Sequence, residues 1–314
     1  MRPDDWHLTD DVEDFLARAG GFLRSRPALH NTALTDIEKL RAPGTGASLL
    51  GRLETDGEVR AVFYLTPRGR LGLTPLSAER TDVLAARLAG LGHSPAQVVA
   101  DHDTAGAFAA SWQWHGGAAP TPFWRTHLYR LGTLTPPRPS PQGRGRRAGA
   151  GDHEHVVRWC REFCVEVGER PSIELIDAGR WGSSRFGDRH FTFWETPGGT
   201  PVSLAAVTPV VGGMVRVDPV YTPARRRGRG YAGAVTVEVS RAALRAGATD
   251  VVLFADPANP TSNALYRRIG YVHLADFAGH RFAYGGPAAG RGRTPWGRGK
   301  SVGLRIGTAS RLPG

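Results

Sequence analysis

The chain has 314 residues, of which 40% are hydrophobic and 22% charged, and this composition indicates a globular protein of one large or two ordinary domains. No stretch has the ~18 apolar residues that would span a bilayer. The N-terminus is acidic and lacks the apolar core of a signal peptide, so we expect a cytoplasmic protein without a membrane partner. The net charge of +11 comes almost wholly from two Pro/Gly/Arg-rich segments, 135–151 and 285–314, so it does not indicate a specific nucleic-acid-binding surface.

The same two segments divide the chain. Neither segment carries enough apolar residues to order itself, so we predict a disordered linker at 135–151 and a disordered basic tail at 285–314. The sequence therefore predicts two domains, 1–134 and 152–284.

Hydrophobic periodicity and Gly-rich turns predict the elements of each domain. Those of the first are a helix at 10–24, strands at 48–54, 59–66 and 71–74, a helix at 78–91, a strand at 97–100, a helix at 103–114 and a strand at 124–131. Those of the second are a helix at 155–167, strands at 189–195, 202–210 and 214–220, a helix at 230–246, a strand at 251–255, a helix at 261–269, and strands at 271–274 and 281–284. The common order indicates a duplication and an α/β fold, with a mixed, largely antiparallel sheet flanked by helices in each half.

The cysteines and the isolated histidines give no sign of a metal site. Cys160 and Cys164 lie four residues apart on a predicted helix and lack partners at zinc-ligand spacing, so we expect buried thiols and no metal. We interpret His190 and His273, which stand alone in the sequence, as structural.

The segment that indicates chemistry runs from Arg225 to Ala232, between a predicted strand and a predicted helix. Glycines at 228 and 230 allow a ligand to approach the backbone closely, and a helix N-terminus offers unpaired N–H groups to a pyrophosphate. A Walker A loop is disfavoured because Tyr231 and Ala232 stand where Lys and Ser/Thr are required. A dinucleotide GxGxxG pattern matches formally at Gly228, Gly230 and Gly233, but the preceding short-turned strands indicate an antiparallel meander rather than a Rossmann unit.

Two motifs together resemble the GNAT superfamily of acyl-CoA-dependent N-acyltransferases. Arg225-x-x-Gly228-x-Gly230 is similar to its R/Q-x-x-G-x-G/A signature, and Asn259, Tyr266 and the pair Gly270-Tyr271 are spaced as in its second signature. The resemblance is close over about 205–275, and the predicted elements extend it to 152–284. It implies a tandem GNAT protein that transfers an acetyl group from acetyl-CoA, its co-substrate, to an amine.

The resemblance also implies roles for particular residues. Tyr266 would protonate the departing thiolate, although a packing role for this tyrosine is also open. Asn259 would lie near the pantetheine arm or begin a helix, and Asn263 is expected to be exposed. The residues implied in acetyl-CoA binding are Val220, Tyr221, Thr222, Arg225, Arg226, Arg227, Gly228, Arg229, Gly230, Tyr231, Ala232 and Asn259.

Some functional assignments stay open at this point. The general base would be Asp218, Glu195 or water, and the sequence names neither the acceptor amine nor the oligomeric state. The position in the first half that is equivalent to the Arg/Gly loop, around 73–77, has no glycine and no arginine cluster, so we expect a degenerate, non-catalytic copy there. The alternative function is a catalytically inactive CoA-binding or structural pseudoenzyme.

Overall fold

The computed structural model describes residues 5–42 and 49–284, and the predicted basic tail lies outside these ranges. The first part of the chain forms β1 (Asp5–Thr9), α1 (Val12–Ser25), α2 (Asn31–Leu40), β2 (Leu49–Thr55), β3 (Glu58–Leu65), β4 (Arg70–Leu73), α3 (Ala78–Gly90), β5 (Gln97–Asp101), α4 (His102–His115) and β6 (Ala119–Leu131). The second part forms β7 (Arg144–Arg147), α5 (His153–Val167), α6 (Arg170–Asp177), β8 (His190–Glu195), β9 (Pro201–Val207), β10 (Met214–Tyr221), α7 (Tyr231–Arg245), β11 (Asp250–Ala255), α8 (Pro260–Arg268) and β12 (Tyr271–Ala283).

The described residues form two compact units. One unit comprises the residues up to Thr126 together with those from Ala275 onward, and the other comprises His127–Leu274. The units therefore begin and end at different residues from the predicted domains, because the chain enters the second unit within β6 and leaves it within β12. The domain boundaries at 134 and 152 remain a proposal.

The first unit contains one sheet with the strand order β1-β2-β3-β4-β5-β12, in which only the β4–β5 pair is parallel. Its core lies between this sheet and helices α3 and α4, and Phe63, Leu84 and Phe108 are fully buried there. Helix α1 begins at Asp11, whose carboxylate accepts hydrogen bonds from the N–H groups of Glu13 and Asp14 and caps the first turn.

The second unit contains a sheet with the order β6-β11-β10-β9-β8-β7, in which only the β10–β11 pair is parallel. Two residues of β10, Val215 and Val217, pack with α7 and α8, whereas Tyr221 packs with α5. Residues an even number apart share one face of a regular strand, so the bulge between Val217 and Val220 accounts for this change of face. The predicted fold class, mixed and largely antiparallel sheets flanked by helices, is confirmed.

The structure differs from the sequence prediction in several elements. β1, α2 and α6 were not predicted, since each is short and its pattern is mostly polar. The predicted strands at 271–274 and 281–284 are parts of one strand, β12. The prediction of a disordered linker was wrong for Arg144–Arg147, which form β7 and pair with β8. Their arginine content hid the strand, because an edge strand tolerates charged side chains.

Candidate cofactor and catalytic site

The site begins where β10 parts from its neighbour β11. The two strands pair from Met214 to Val217, and the pairing ends there, although β10 continues to Tyr221. A bulge between Val217 and Val220 shifts the register of β10 against β9. Bulges redirect a strand and leave backbone groups unpaired. Beyond Val217, β10 therefore has an edge, on the side away from β9, whose backbone groups can bond a ligand.

The side chains at the end of β10 are already engaged. The hydroxyl of Tyr221 donates to Glu162 at 2.9 Å, and that of Thr222 lies 2.8 Å from the hydroxyl of Ser203. Burial, followed by the bond to Glu162, raises the pKa of Tyr221 well above its ordinary value. Val220, Tyr221 and Thr222 could therefore hold a ligand through their backbone groups.

A loop with two left-handed glycines connects β10 to α7. A 3₁₀ turn covers Ala224–Arg226, and Gly228 and Gly230 then adopt φ values of 74° and 80°, which favour glycine. No atom of the described residues beyond the neighbouring positions lies within 4 Å of the place that a Cβ on Gly228 would occupy. The loop is therefore open above Gly228, and a ligand can reach the backbone there.

Helix α7 presents its N-terminus to this loop. Within the described part of the chain, no side chain caps the helix, and its first backbone hydrogen bond runs from Ala234 to Gly230. The N–H groups of 228–233, which include those of Tyr231 and Ala232, thus remain available. Together with the helix dipole, they make a site for an anion.

The arginines of the loop divide into two kinds. Arg227 donates from Nε to the carbonyl of Thr222 at 2.9 Å and from Nη2 to Glu166 on α5 at 2.7 Å, so it fastens the loop to the helix. Arg225, Arg226 and Arg229 form no ion pair with any acid of the described residues, and their charges remain free to balance that of a phosphate. The sequence alone could not separate these roles, since it does not show that Glu166 comes within reach.

Helix α8 brings two asparagines together. Asn259 caps the helix by accepting from the N–H of Ser262 at 3.0 Å. The expectation that Asn263 is exposed was wrong: it is 5% exposed, its amide donates to the carbonyls of Asp256 and Asn259, and it accepts from the hydroxyl of Tyr129. A buried amide must satisfy its donors and acceptor, and here the loop before α8 and strand β6 supply the partners.

Tyr266 lies one turn further along α8, on the face that packs against the sheet. Its ring centroid is 6.4 Å from that of Tyr129 and 6.2 Å from that of Tyr271. The hydroxyls of those two tyrosines bond Asn263 and Ser240, whereas that of Tyr266 bonds no group of the described residues. Burial and then the negative charge of Asp218 raise the pKa of Tyr266 well above 10. A phenol in this setting stays protonated and can donate.

Asp218, a candidate base, lies in the bulge of β10 close enough to influence Tyr266. Both its oxygens lie 2.5 Å from Nη2 of Arg185, and Arg189 approaches to 3.7 Å. Burial by itself would raise the pKa of Asp218, but the charges of Arg185 and Arg189 outweigh it and hold the pKa at about 2. A carboxylate in this state has little affinity for a proton near neutral pH.

Glu195, the other candidate base, also forms an ion pair with an arginine. It is 4% exposed and accepts from Nε of Arg146 at 2.6 Å. Both carboxylates proposed from the sequence thus form ion pairs with arginines. Their arginine partners stand 33 and 49 residues away along the chain, so sequence reasoning had no signal for them.

The equivalent loop of the first unit is built differently. Between β4 and α3, the hydroxyl of Thr74 accepts from the N–H of Val62, and the N–H of Leu76 donates to the hydroxyl of Thr104. Ser77 caps α3 by accepting from the N–H of Arg80. This helix N-terminus is therefore capped by the chain itself, in contrast to that of α7.

Comparison with known proteins identifies the fold. Residues 208–277, which run from just after β9 through α8 and into β12, match the family described as FR47-like protein. A GCN5-related N-acetyltransferase from Sphaerobacter thermophilus superposes with a TM-score of 0.53 at 21% identity, covering 90% of this chain and 96% of that one. A tandem GNAT protein from the clavulanic acid biosynthesis pathway gives 0.54 at 15% identity, covering 91% and 100%. The chain has the GNAT fold.

A further solved structure has the same fold. A GNAT-family acetyltransferase from Colwellia psychrerythraea superposes with a TM-score of 0.52 at 10% identity, covering 89% of this chain and all of that one. No curated protein sequence matches the chain. The resemblance to the GNAT superfamily predicted from the motifs is thereby confirmed. Within the described ranges, no helix of this GNAT fold has the length and apolar character needed to cross a bilayer.

Proposed function

We propose that this chain is an N-acetyltransferase that transfers the acetyl group of acetyl-CoA to an amine by direct attack of the amine on the thioester. The observation that carries the proposal is the open loop at Gly228–Gly230, which leads into the uncapped N-terminus of α7. Beside this loop lies the edge of β10 that no longer pairs with β11. Anionic pyrophosphate fits this arrangement of backbone donors and free arginines. The pantetheine arm would follow the backbone of Val220, Tyr221 and Thr222.

We infer that Tyr266 is the acid of the reaction. A thiolate that leaves the thioester needs a proton, and Tyr266 has a protonated hydroxyl with no bond to a described residue. For the base, we favour water over Asp218 and Glu195, because arginines hold both carboxylates in ion pairs. Asn259 supports the site by fixing the start of α8. The cytoplasmic location predicted from the sequence remains a prediction.

The activity can be tested by measuring thiol release from acetyl-CoA in the presence of a panel of amines, with mass spectrometry of the products. We expect at least one amine to gain an acetyl group in proportion to the thiol released. Binding of acetyl-CoA by calorimetry, without turnover of any amine, would favour the alternative of an inactive CoA-binding protein. Absence of binding would contradict the proposal as a whole.

We infer that only the second unit binds acetyl-CoA. The helix N-terminus at Ser77 in the first unit is capped, and its loop carries neither a positive-φ glycine nor a free arginine. Calorimetric titration should therefore give one acetyl-CoA per chain. A stoichiometry of two would contradict the inference that the first unit is a degenerate copy.

A further inference from the structure

A cavity of about 220 Å³ lies in the second unit, at the N-terminal end of α5. None of the loop residues at 225–230 lines it, so it is separate from the acetyl-CoA site proposed above. The residues that carry its chemistry come from the end of β7, the start of α5, the segment before β8 and the first residue of β8. They are Arg147, His153, Trp181, Phe186, Arg189 and His190.

The wall of the cavity carries basic and imidazole side chains but no carboxylate among the described residues. The side chain of Arg189 is only 5% exposed, and its Nε has no hydrogen-bond partner among the residues that the structure describes. Its terminal nitrogens bind Asp188 at 2.8 Å and approach Asp218 at 3.7 Å. A buried donor without a partner is costly, and an anion in the cavity would stabilise the guanidinium electrostatically.

Arg147 adds a second positive charge at the cavity. It pairs with no carboxylate of the described residues, and Nη2 donates to Nδ1 of His190 at 3.4 Å. Since a guanidinium can only donate, this bond leaves the proton of a neutral His190 on Nε2, as a donor. The nearby Asp152 does not neutralise Arg147, because it is bound to Arg146 at 2.7 and 2.9 Å and to the N–H of Gly149.

The helix start and the aromatic side chains complete the cavity. Gly149 and Ala150, at the turn that leads into α5, line it, so the positive end of this 15-residue helix faces the same space. The ring centroid of Trp181 lies 6.0 Å from that of Phe186, with their planes at 23°, and the ring of His153 meets Trp181 edge-on at 5.8 Å. Aromatic side chains in these orientations can contact a flat ring.

We propose that this cavity binds a small aromatic anion, a single ring that carries a carboxylate or a phosphate. The volume fits one ring with a compact substituent, since a cavity of about 150 Å³ accepts benzene. The anionic group would lie against Arg147, Arg189 and the start of α5, and the ring against Trp181. The proposal goes beyond acetyl transfer and does not depend on it.

The test uses three single-ring probes with the full-length chain: benzoate, phenyl phosphate and neutral benzamide. Calorimetry at low salt should show binding of at least one of the two anions, and benzamide should bind at least about tenfold more weakly, as expected when a charge-assisted contact is lost. The ranking of benzoate against phenyl phosphate identifies the preferred anion. Equal affinity for benzamide, or no binding of either anion, would overturn the proposal.

Two arginines of β7 provide a matched pair of variants. Arg147→Gln should weaken binding of the anion about tenfold or more, whereas Arg144→Gln, on the same strand but outside the cavity, should leave it unchanged. Trp181→Ala should weaken the binding of all ring probes. Equal losses in the two arginine variants would show a general effect of surface charge and refute the site. Acetyl-CoA affinity, measured on the same variants, should not change, so failure here is distinguishable from failure of the proposed acetyltransferase.

Discussion

Gly228→Val is expected to weaken acetyl-CoA binding by at least about 100-fold while the protein stays folded. Glycine at this position has a φ of 74° and open space beside it, so the Cβ of valine would meet no atom of the described residues within 4 Å. The branched side chain would instead fill the space through which a pyrophosphate reaches the backbone, and it disfavours the left-handed conformation by about 1–2 kcal/mol. Calorimetry with acetyl-CoA measures the loss.

Gly199→Val is the matched control for this prediction. Gly199 lies in the turn between β8 and β9, with a φ of 79°, and no atom in the described part of the chain beyond its neighbours lies within 4 Å of its would-be Cβ. The two variants should therefore lower the melting temperature by similar amounts, because they introduce the same backbone strain. Only Gly228→Val should lose affinity. If a folded Gly228→Val protein bound acetyl-CoA as the parent does, the loop would not be the phosphate site.

The fold could be predicted well from the sequence wherever the hydrophobic residues kept one period through a whole helix or strand. Helix α1 buries Phe15, Ala19 and Leu23 at the spacing of one helical face, and α7 follows the glycines at 228 and 230. The elements that were missed, such as α2 and β7, are short and polar and are ordered by neighbours. β7, for example, is held by pairing with β8.

The candidate site was predictable in its backbone part and not in its electrostatics. Motif spacing located the loop and Tyr266, because the geometry of a helix start is local in sequence. The ion pairs of the arginines could not be predicted in this way, because their partners are distant in sequence. Arg185 and Asp218 are 33 positions apart, and Arg227 and Glu166 are 61 positions apart. These contacts bear on the proposed roles: one holds a candidate base in an ion pair, and the other holds a candidate phosphate ligand against α5.

Tyr266→Phe is expected to lower the rate of acetyl transfer by about 10²–10⁴-fold, with acetyl-CoA affinity nearly unchanged. Phenylalanine keeps the ring that packs between Tyr129 and Tyr271, so the free energy of unfolding should change little. It removes a hydroxyl that bonds no described residue. Burial and the negative charge of Asp218 raise the pKa of this hydroxyl, so it stays protonated. A loss in kcat without a loss in Kd is the signature of a contact made mainly in the transition state.

Tyr271→Phe separates this role from simple packing. Tyr271 is buried in the same aromatic cluster, but its hydroxyl lies 2.7 Å from that of Ser240 on α7. Loss of the Tyr271 hydroxyl should lower the free energy of unfolding by about 1 kcal/mol, because its hydrogen bond to Ser240 is lost. The rate of acetyl transfer should stay near that of the parent, because this hydroxyl is bound to the protein. Single-turnover measurements on the accepted amine keep product release from masking a change in chemistry. If Tyr266→Phe turned over at the parent rate under these conditions, Tyr266 would be a core residue, and the thiolate would have to take its proton from water or another group.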